Sequence, residues 1–215
     1  DHCGVVLAVM TDLIHSVTSN SERWATSQFL RKHIEGKTEQ IRALTMERAD
    51  GRVSEVLAII DDEGIVAAIH LAPPWYEVED LASTLTPTQK EIALSRTRVL
   101  NSVAVRPEAR RKGIATTLVD EAESLAREAG VYVIYGIATE GTHLYEQAGY
   151  QVGSSGDYLQ VHIDELHLTY PQHGEAARWF YKVLEQPPPP RRRFTKKAEP
   201  APSIICRFID PGILA

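Results

Sequence analysis

Residues Val99 to Gly130 read VLNSVAVRPEARRKGIATTLVDEAESLAREAG, and their layout is strand, basic turn, helix. Val99, Leu100, Val103, Ala104 and Val105 form a β-rich apolar run, broken only by the polar pair Asn101 and Ser102. Pro107 closes the strand, because proline has no N–H to give a ladder. From Ala115 the apolar spacing turns helical: Ala115, Leu118, Val119, Ala122, Ala126 and Ala129 share one face. Gly130 stops the helix in the usual position just past its end.

This layout suits an anion. A helix start leaves four backbone N–H groups unpaired and carries roughly half a positive charge. Gly113 lets the backbone come close to a bulky ligand, and Ala115 keeps the next contact small. Arg110, Arg111 and Lys112 add three cations around the same point. A single dipole–anion contact is worth only about 0.3–1 kcal/mol, but several amides converging on a diphosphate make a usable site.

Two motifs carry a family resemblance. Arg110-x-x-Gly113-x-Ala115, after a strand ending Val105-Arg106-Pro107, resembles motif A of the GNAT N-acetyltransferases, (Q/R)-x-x-G-x-(G/A). Leu144-Tyr145-Glu146-Gln147-Ala148-Gly149-Tyr150 resembles the same family's L-Y-E-x-x-G-F/Y segment. The resemblance implies an α/β (α+β) fold: a central mixed, mostly antiparallel sheet with a splayed parallel strand pair, flanked by helices. It implies acetyl-coenzyme A as co-substrate, with its pyrophosphate held by Arg110, Arg111, Lys112, Gly113, Ile114, Ala115 and Thr116. The strand backbone of Val103, Ala104 and Val105 would serve the pantetheine arm and the oxyanion. Tyr145 would be the general acid for the departing thiolate as well as a cofactor contact. No metal is implied. Where many members carry an Asn seven residues before the tyrosine, this chain has Ala138.

The activity so implied is transfer of an acetyl group to a primary amine of an unidentified acceptor, small molecule or protein, by direct attack in a ternary complex. An ammonium loses its proton near pH 10, so a base or a held water is required. Some members place a glutamate on the strand before motif A; here Val99 to Ser102 offer no carboxylate. His70, Glu77, Glu79 and a carbonyl-held water all stay open, and His143 is expected on another side of the helix from Tyr145. The missing strand carboxylate feeds an alternative: a non-catalytic acyl-coenzyme A binding or interaction module. A different phosphate-binding α/β protein is disfavoured by the lack of a G-x-x-x-x-G-K-(S/T) loop.

The 215 residues carry a formal net charge of −6, which argues against general nucleic-acid binding and mildly suits a cationic acceptor. Cys3 and Cys206 lie near opposite ends, so neither a zinc site nor a disulfide framework follows, and a reduced cytoplasmic setting is the simplest expectation. No run approaches the roughly 20 apolar residues of a membrane span. Gly4–Met10 is too short and lacks the basic flank of a signal peptide.

In chain order, Gly4–Ile14 reads as a strand or short helix, Ser21–Arg48 as two helices, and Val53–Ile60 with Ile65–Leu71 as a hairpin turning at Asp61-Asp62-Glu63-Gly64. His70 near the hairpin's end reads as packed rather than catalytic. Pro73–Arg98 is longer than a minimal family member needs. It brings Trp75 and Tyr76, which could stack on a substrate, and the acids Glu77, Glu79 and Asp80, which could hold an amine; a plain surface loop is the equal alternative. Thr86-Pro87-Thr88-Gln89 then resembles a capping box with proline at the first helical position. Val131–Ala138 reads as a buried strand, Thr139–Ala148 as a helix, and Tyr150–Gly153 and Tyr158–Ile163 as closing strands. The GNAT-like domain is expected over residues 1–170 and a C-terminal extension over 171–215. In the extension, Gly174–Glu185 reads as a helix, Pro187–Pro190 as a stiff spacer, and Arg191–Arg193 with Lys196 and Lys197 as a solvated linker. Ser203–Ile209 reads as a terminal strand that docks on the chain's own core or on a second copy in a homodimer.

Overall fold

The computed structural model describes residues 13–34, 41, 44, 52–171, 174, 176–184 and 202–210. β1 (Ile14–Ser16) leads into α1 (Asn20–His33) and then the hairpin β2 (Glu55–Asp61) and β3 (Gly64–Ala72). Two helices follow, α2 (Trp75–Asp80) and α3 (Pro87–Arg96), before β4 (Thr97–Val105). A 3-10 turn at Pro107–Ala109 and the basic loop lead to α4 (Ile114–Glu128), β5 (Val133–Ala138) and α5 (Thr142–Gln147). The chain finishes through β6 (Gln151–Val152), β7 (Tyr158–Ile163), β8 (Leu166–Tyr170), β9 (Arg178–Val183) and β10 (Ile204–Ile209).

Seven strands form the central sheet in the order β1-β2-β3-β4-β5-β9-β6. Every pairing in it is antiparallel except β4 with β5. This is the mixed, mostly antiparallel sheet that the motifs imply. Local chemistry sets the helix starts: Ser19 and Thr86 each close a reciprocal capping box, with Glu22 and Gln89 respectively.

Alternation along the strands sorts the core into two faces. On one, Leu57, Ile69, Leu100, Ile134 and Phe180 pack against Leu118, Val119 and Ala122 of α4 and Tyr145 of α5. The other face is divided. Ala58, Ala68 and Ala104 lie with Leu30 of α1. Val99, Val133, Tyr135, Trp179 and Tyr181 lie with Val78 of α2, Ala93 of α3, and residues of a second sheet. That second sheet has the order β10-β7-β8.

The C-terminal third differs from its sequence reading. Gly174–Glu185 contains a strand, β9, not a helix. Its three aromatics point alternately, Trp179 and Tyr181 to one face and Phe180 to the other. A strand buried on both faces shows a continuous apolar run, which periodicity cannot tell from a buried helix. Tyr158–Ile163 does not close the main sheet; it opens the hairpin of the second one, and β6 is the short strand that pairs with β9. Pairing therefore crosses the boundary expected at residue 170, since β9 lies between β5 and β6 and β10 lies on β7 of the same chain. Nearly all of Gly4–Ile14, most of the second helix expected before Arg48, and the proline and arginine runs between 187 and 197 lie outside the described residues.

Candidate active site

β4 and β5 pair only at Thr97↔Val133, Arg98↔Ile134 and Val99↔Tyr135, and then part, although β4 continues to Val105 and β5 to Ala138. A bulge lies at the parting. Across β3–β4, His70 faces Ser102 and Leu71 faces Leu100, which leaves Asn101 as an extra residue. Such a bulge bends its strand and increases its twist. Gly136, one residue past the last pair, is held bare by close approach. A Cβ there would meet the Leu100 carbonyl oxygen at 2.7 Å and the Phe180 ring at 2.5 Å.

The free edge of β4 carries backbone groups into this gap. Arg106 N–H donates to the Val66 carbonyl on β3 at 2.8 Å. Amides alternate between the two edges of a strand, so those of Val103 and Val105 face the gap. Ala104, expected with them, instead turns its amide toward β3 and its side chain toward α1. Arg110 Nε donates to the Val105 carbonyl at 3.0 Å, tying the basic loop to the mouth of the gap.

At that mouth α4 begins. Arg111 and Gly113 both take left-handed backbone, with φ of 60° and 81°. No side chain caps the helix, so the amides of Ile114, Ala115 and Thr116 keep their donors. A Cβ on Gly113 would meet nothing within 4 Å. Arg110, Arg111 and Lys112 are exposed around the opening. Open space, free amides and three cations fit a diphosphate.

Tyr145 lies on the same face, 8% exposed. Its ring stacks on Phe180 with centroids 3.8 Å apart and planes 13° apart, and meets Tyr150 edge-on at 5.9 Å. Phe180 is the β9 partner of Gly136, so the stack stands beside the gap. Burial alone pushes the Tyr145 phenol up to about 12. It therefore stays protonated through the neutral range and can donate but not accept a proton there.

The remaining candidates separate. His143 is exposed beside Glu146, at 3.7 Å, on the outside of α5. Glu79 is exposed and Trp75 is buried. His70 is fully buried on the α1 face of the sheet, opposite Ser102. Glu77 is partly buried, and burial, with Asp80's charge adding, pushes its carboxyl up to about 6. Sequence reasoning missed two buried phenols, Tyr135 and Tyr170, whose hydroxyls lie 2.6 Å apart and whose acidity is lowered first by burial, with the Glu77 charge adding. Nothing in a buried apolar strand marks a tyrosine as special; the polar pair Asn101-Ser102 was the one signal at the parting. A separate cavity of about 300 Å³, lined by Pro73, Leu94, Arg98 and their neighbours, lies at the other end of β4.

Residues 52–152 match the sequence profile of the acetyltransferase (GNAT) domain. No curated protein sequence matches the chain. Among solved structures, the polyamine N-acetyltransferase of Drosophila melanogaster, an enzyme that forms N-acetylagmatine, aligns at 15% identity over 80% of this chain and 100% of that one, with a TM-score of 0.52. NAA60 of Arabidopsis thaliana, solved with acetyl-CoA, aligns at 15% identity over 80% and 98%, with a TM-score of 0.50. The ribosomal-protein-S18-alanine N-acetyltransferase of Escherichia coli aligns at 10% identity over 84% and 98%, with a TM-score of 0.50. At these identities the likeness is one of fold, and it agrees with the parted strands and the uncapped helix start: the chain has a GNAT-type fold, and its residues 52–152 match the acetyltransferase (GNAT) domain.

Proposed function

We propose that this chain moves an acetyl group from acetyl-coenzyme A to a primary amine by direct attack, with both substrates bound. One observation carries the reading: the uncapped start of α4 and the parting of β4 from β5 share one end of β4. A diphosphate on the amides of Ile114 to Thr116, ringed by Arg110, Arg111 and Lys112, would lay a thiol-bearing arm along the free edge of β4. Val103 and Val105 would pair with that arm through their backbones. Coenzyme A supplies the activated acyl group. An amide on the gap edge is the donor for the developing oxyanion.

Tyr145 would donate a hydrogen bond to the departing sulfur. A phenol held near 12 is a weaker acid than a thiol, whose usual value is about 8.5, so full proton transfer from it is unfavourable. The proton that ends on sulfur would come from the amine nitrogen as the C–N bond forms. The names of the fold relatives span small amines and a protein alanine, and the amine class is what they share. Among the described residues no helix is long and apolar enough to cross a membrane.

The test is a thermal-shift comparison of coenzyme A with ATP, followed by free-thiol release from acetyl-coenzyme A across a panel of amines. Stabilisation by coenzyme A but not ATP is expected, with thiol release that requires an amine and slows in Tyr145→Phe. Coenzyme A binding with no amine-dependent release would instead make this a non-catalytic acyl-coenzyme A module.

A further inference from the structure

The end of β4 away from Gly113 borders a cavity of about 300 Å³. It opens where four elements meet: the approach to β2, the residue after β3, the last turn of α3 and the end of α4. Val53, Pro73, Leu94 and Ala129 give it apolar walls, and Arg52 and Arg98 give it charge. Its volume is that of about ten waters, at the lower end of the range for small-molecule pockets.

Arg98 is the group that gives this cavity its chemistry. The residue is buried, at 8% exposure. Its Nε donates to both oxygens of Glu55, at 2.9 and 3.0 Å. Its Nη1 donates to the Leu94 and Thr97 carbonyls, at 3.1 and 2.8 Å. Those bonds fix the plane of the guanidinium and tie α3 to β4. They use two of its three nitrogens, and Nη2 has no hydrogen-bond partner among the described residues. Buried polar groups nearly always find partners, and a guanidinium cannot escape the need by losing its charge. Packing α3 on β4 requires only the bonds already made, so the donors of Nη2 are left for an occupant of the cavity. Beside it, Arg52 Nη2 donates to both oxygens of Glu91, at 2.7 and 2.8 Å. The Glu91 side chain is 61% exposed, and so open a pair is weak in water. Arg52 can therefore share its charge with a second anion.

We infer that this cavity binds a small organic carboxylate, its anion on Arg98 Nη2 beside Arg52 and its apolar body against Val53, Pro73 and Leu94. A phosphate dianion fits less well, because Glu55 already offsets part of the Arg98 charge and three walls offer no donor. The site is separate from the proposed cofactor site. Arg98 and Val103 are five residues apart on β4, roughly 16 Å along a strand. Neither the basic loop nor Tyr145 lines the cavity. The inference holds whether or not the chain transfers acetyl groups.

The experiment titrates the full chain by calorimetry with benzoate and butyrate, and with their neutral twins benzamide and butyramide, at constant ionic strength. Saturable binding of a carboxylate is expected, about tenfold or more tighter than its amide, and unmoved by added coenzyme A. Ala129 is exposed, so Ala129→Leu should fold as wild type does and weaken that binding about tenfold by filling the cavity. Arg52→Gln should weaken it about threefold. Arg98→Lys should abolish it; where that variant does not fold, Ala129→Leu decides. The inference is overturned if neither carboxylate binds, if acid and amide bind alike, or if Ala129→Leu leaves the affinity unchanged. Displacement by coenzyme A would place the carboxylate on the basic loop and overturn it too, and inorganic phosphate binding as tightly as benzoate would overturn the choice of ligand.

Discussion

The Lys182 ammonium donates to both oxygens of the Glu123 carboxylate at 2.8 Å. It also donates to the Ala148 carbonyl at 2.6 Å, and Arg127 reaches the same carboxylate at 2.7 Å. One buried acid on α4 thereby ties β9 to the end of the helix that carries Tyr145. Lys182→Met leaves Glu123 with half its compensation. Breaking a buried pair from one side costs roughly 3 kcal/mol, or roughly 6–12 °C in Tm for a chain of this size. Thermal melts should show that loss, and Glu123→Gln added to Lys182→Met should recover part of it, because no buried charge is then left unpaired. kcat should fall with the single change, since Ala148 is three residues from Tyr145.

Gly136 shows how little room the apex of the gap has. Its missing Cβ is replaced by the Phe180 ring and the Leu100 carbonyl oxygen. Gly136→Ala must push one of them. A ring can yield, but a backbone carbonyl moves only with its strand. Overpacking of this kind costs roughly 1–3 kcal/mol. The variant should lose that much in urea unfolding and should also lose kcat, because Phe180 is the platform for Tyr145. Adding Phe180→Leu should not restore activity, as it removes the platform and leaves the carbonyl contact in place.

Gly113 differs from Gly136 in being open. Gly113→Ala meets nothing within 4 Å, so its structural cost is that of left-handed backbone alone, roughly 1–2 kcal/mol. The new methyl would stand where the diphosphate should come closest. A weakening of coenzyme A binding of about tenfold or more is expected by calorimetry, beside a small drop in Tm. A variant that binds coenzyme A as wild type does would move the diphosphate away from this loop.

The strand, basic turn and helix proposed to hold the cofactor were legible in the sequence as elements because they are local. A strand, a glycine in a basic turn and an amphipathic helix follow one another within 32 residues, and Tyr145 sits in its own short motif. What could not be read is set by pairing. The bulge at Asn101 exists only relative to β3, and the parting of β4 from β5 only relative to a strand that follows a whole helix later. Tyr135 and Tyr170 meet across two sheets, and each looks like core in its own strand. Trp179-Phe180-Tyr181 carry no period at all, because the fold covers both of their faces.

Glu77 gives stability a pH dependence with a definite sign. Burial raises its folded value to about 6, above the 4.5 of a free side chain. Between those two values the folded chain binds more proton than the unfolded one, so stability falls as pH rises through the window. Above about pH 6 the ionised carboxylate costs up to roughly 2 kcal/mol. Glu77→Gln should therefore be more stable than wild type at pH 7.5 and equal to it at pH 4.5. Melts at the two pH values check this.

Phe208, near the end of the chain, packs into the space a Gly153 side chain would fill, where a Cβ would meet its ring at 2.8 Å. The ring also lies 5.1 Å from that of Tyr181, whose hydroxyl donates to the Cys206 carbonyl at 2.7 Å. β10 thus bridges β7 and the β9–β6 edge of the main sheet, and we propose that the folded unit extends through it. Phe208→Ala should cost roughly 2 kcal/mol, below the 3–5 of a fully buried ring because Phe208 is only partly covered. Ending the chain at residue 202 should cost more. It bares the edge of β7, and an unpaired strand edge invites association with another copy. Urea unfolding followed by light scattering should show one cooperative transition for the full chain, and for the shortened one a lower midpoint with oligomers. A shortened chain that keeps both the midpoint and the light scattering of the full chain would make β10 an accessory, and would return the boundary of the folded unit to β9.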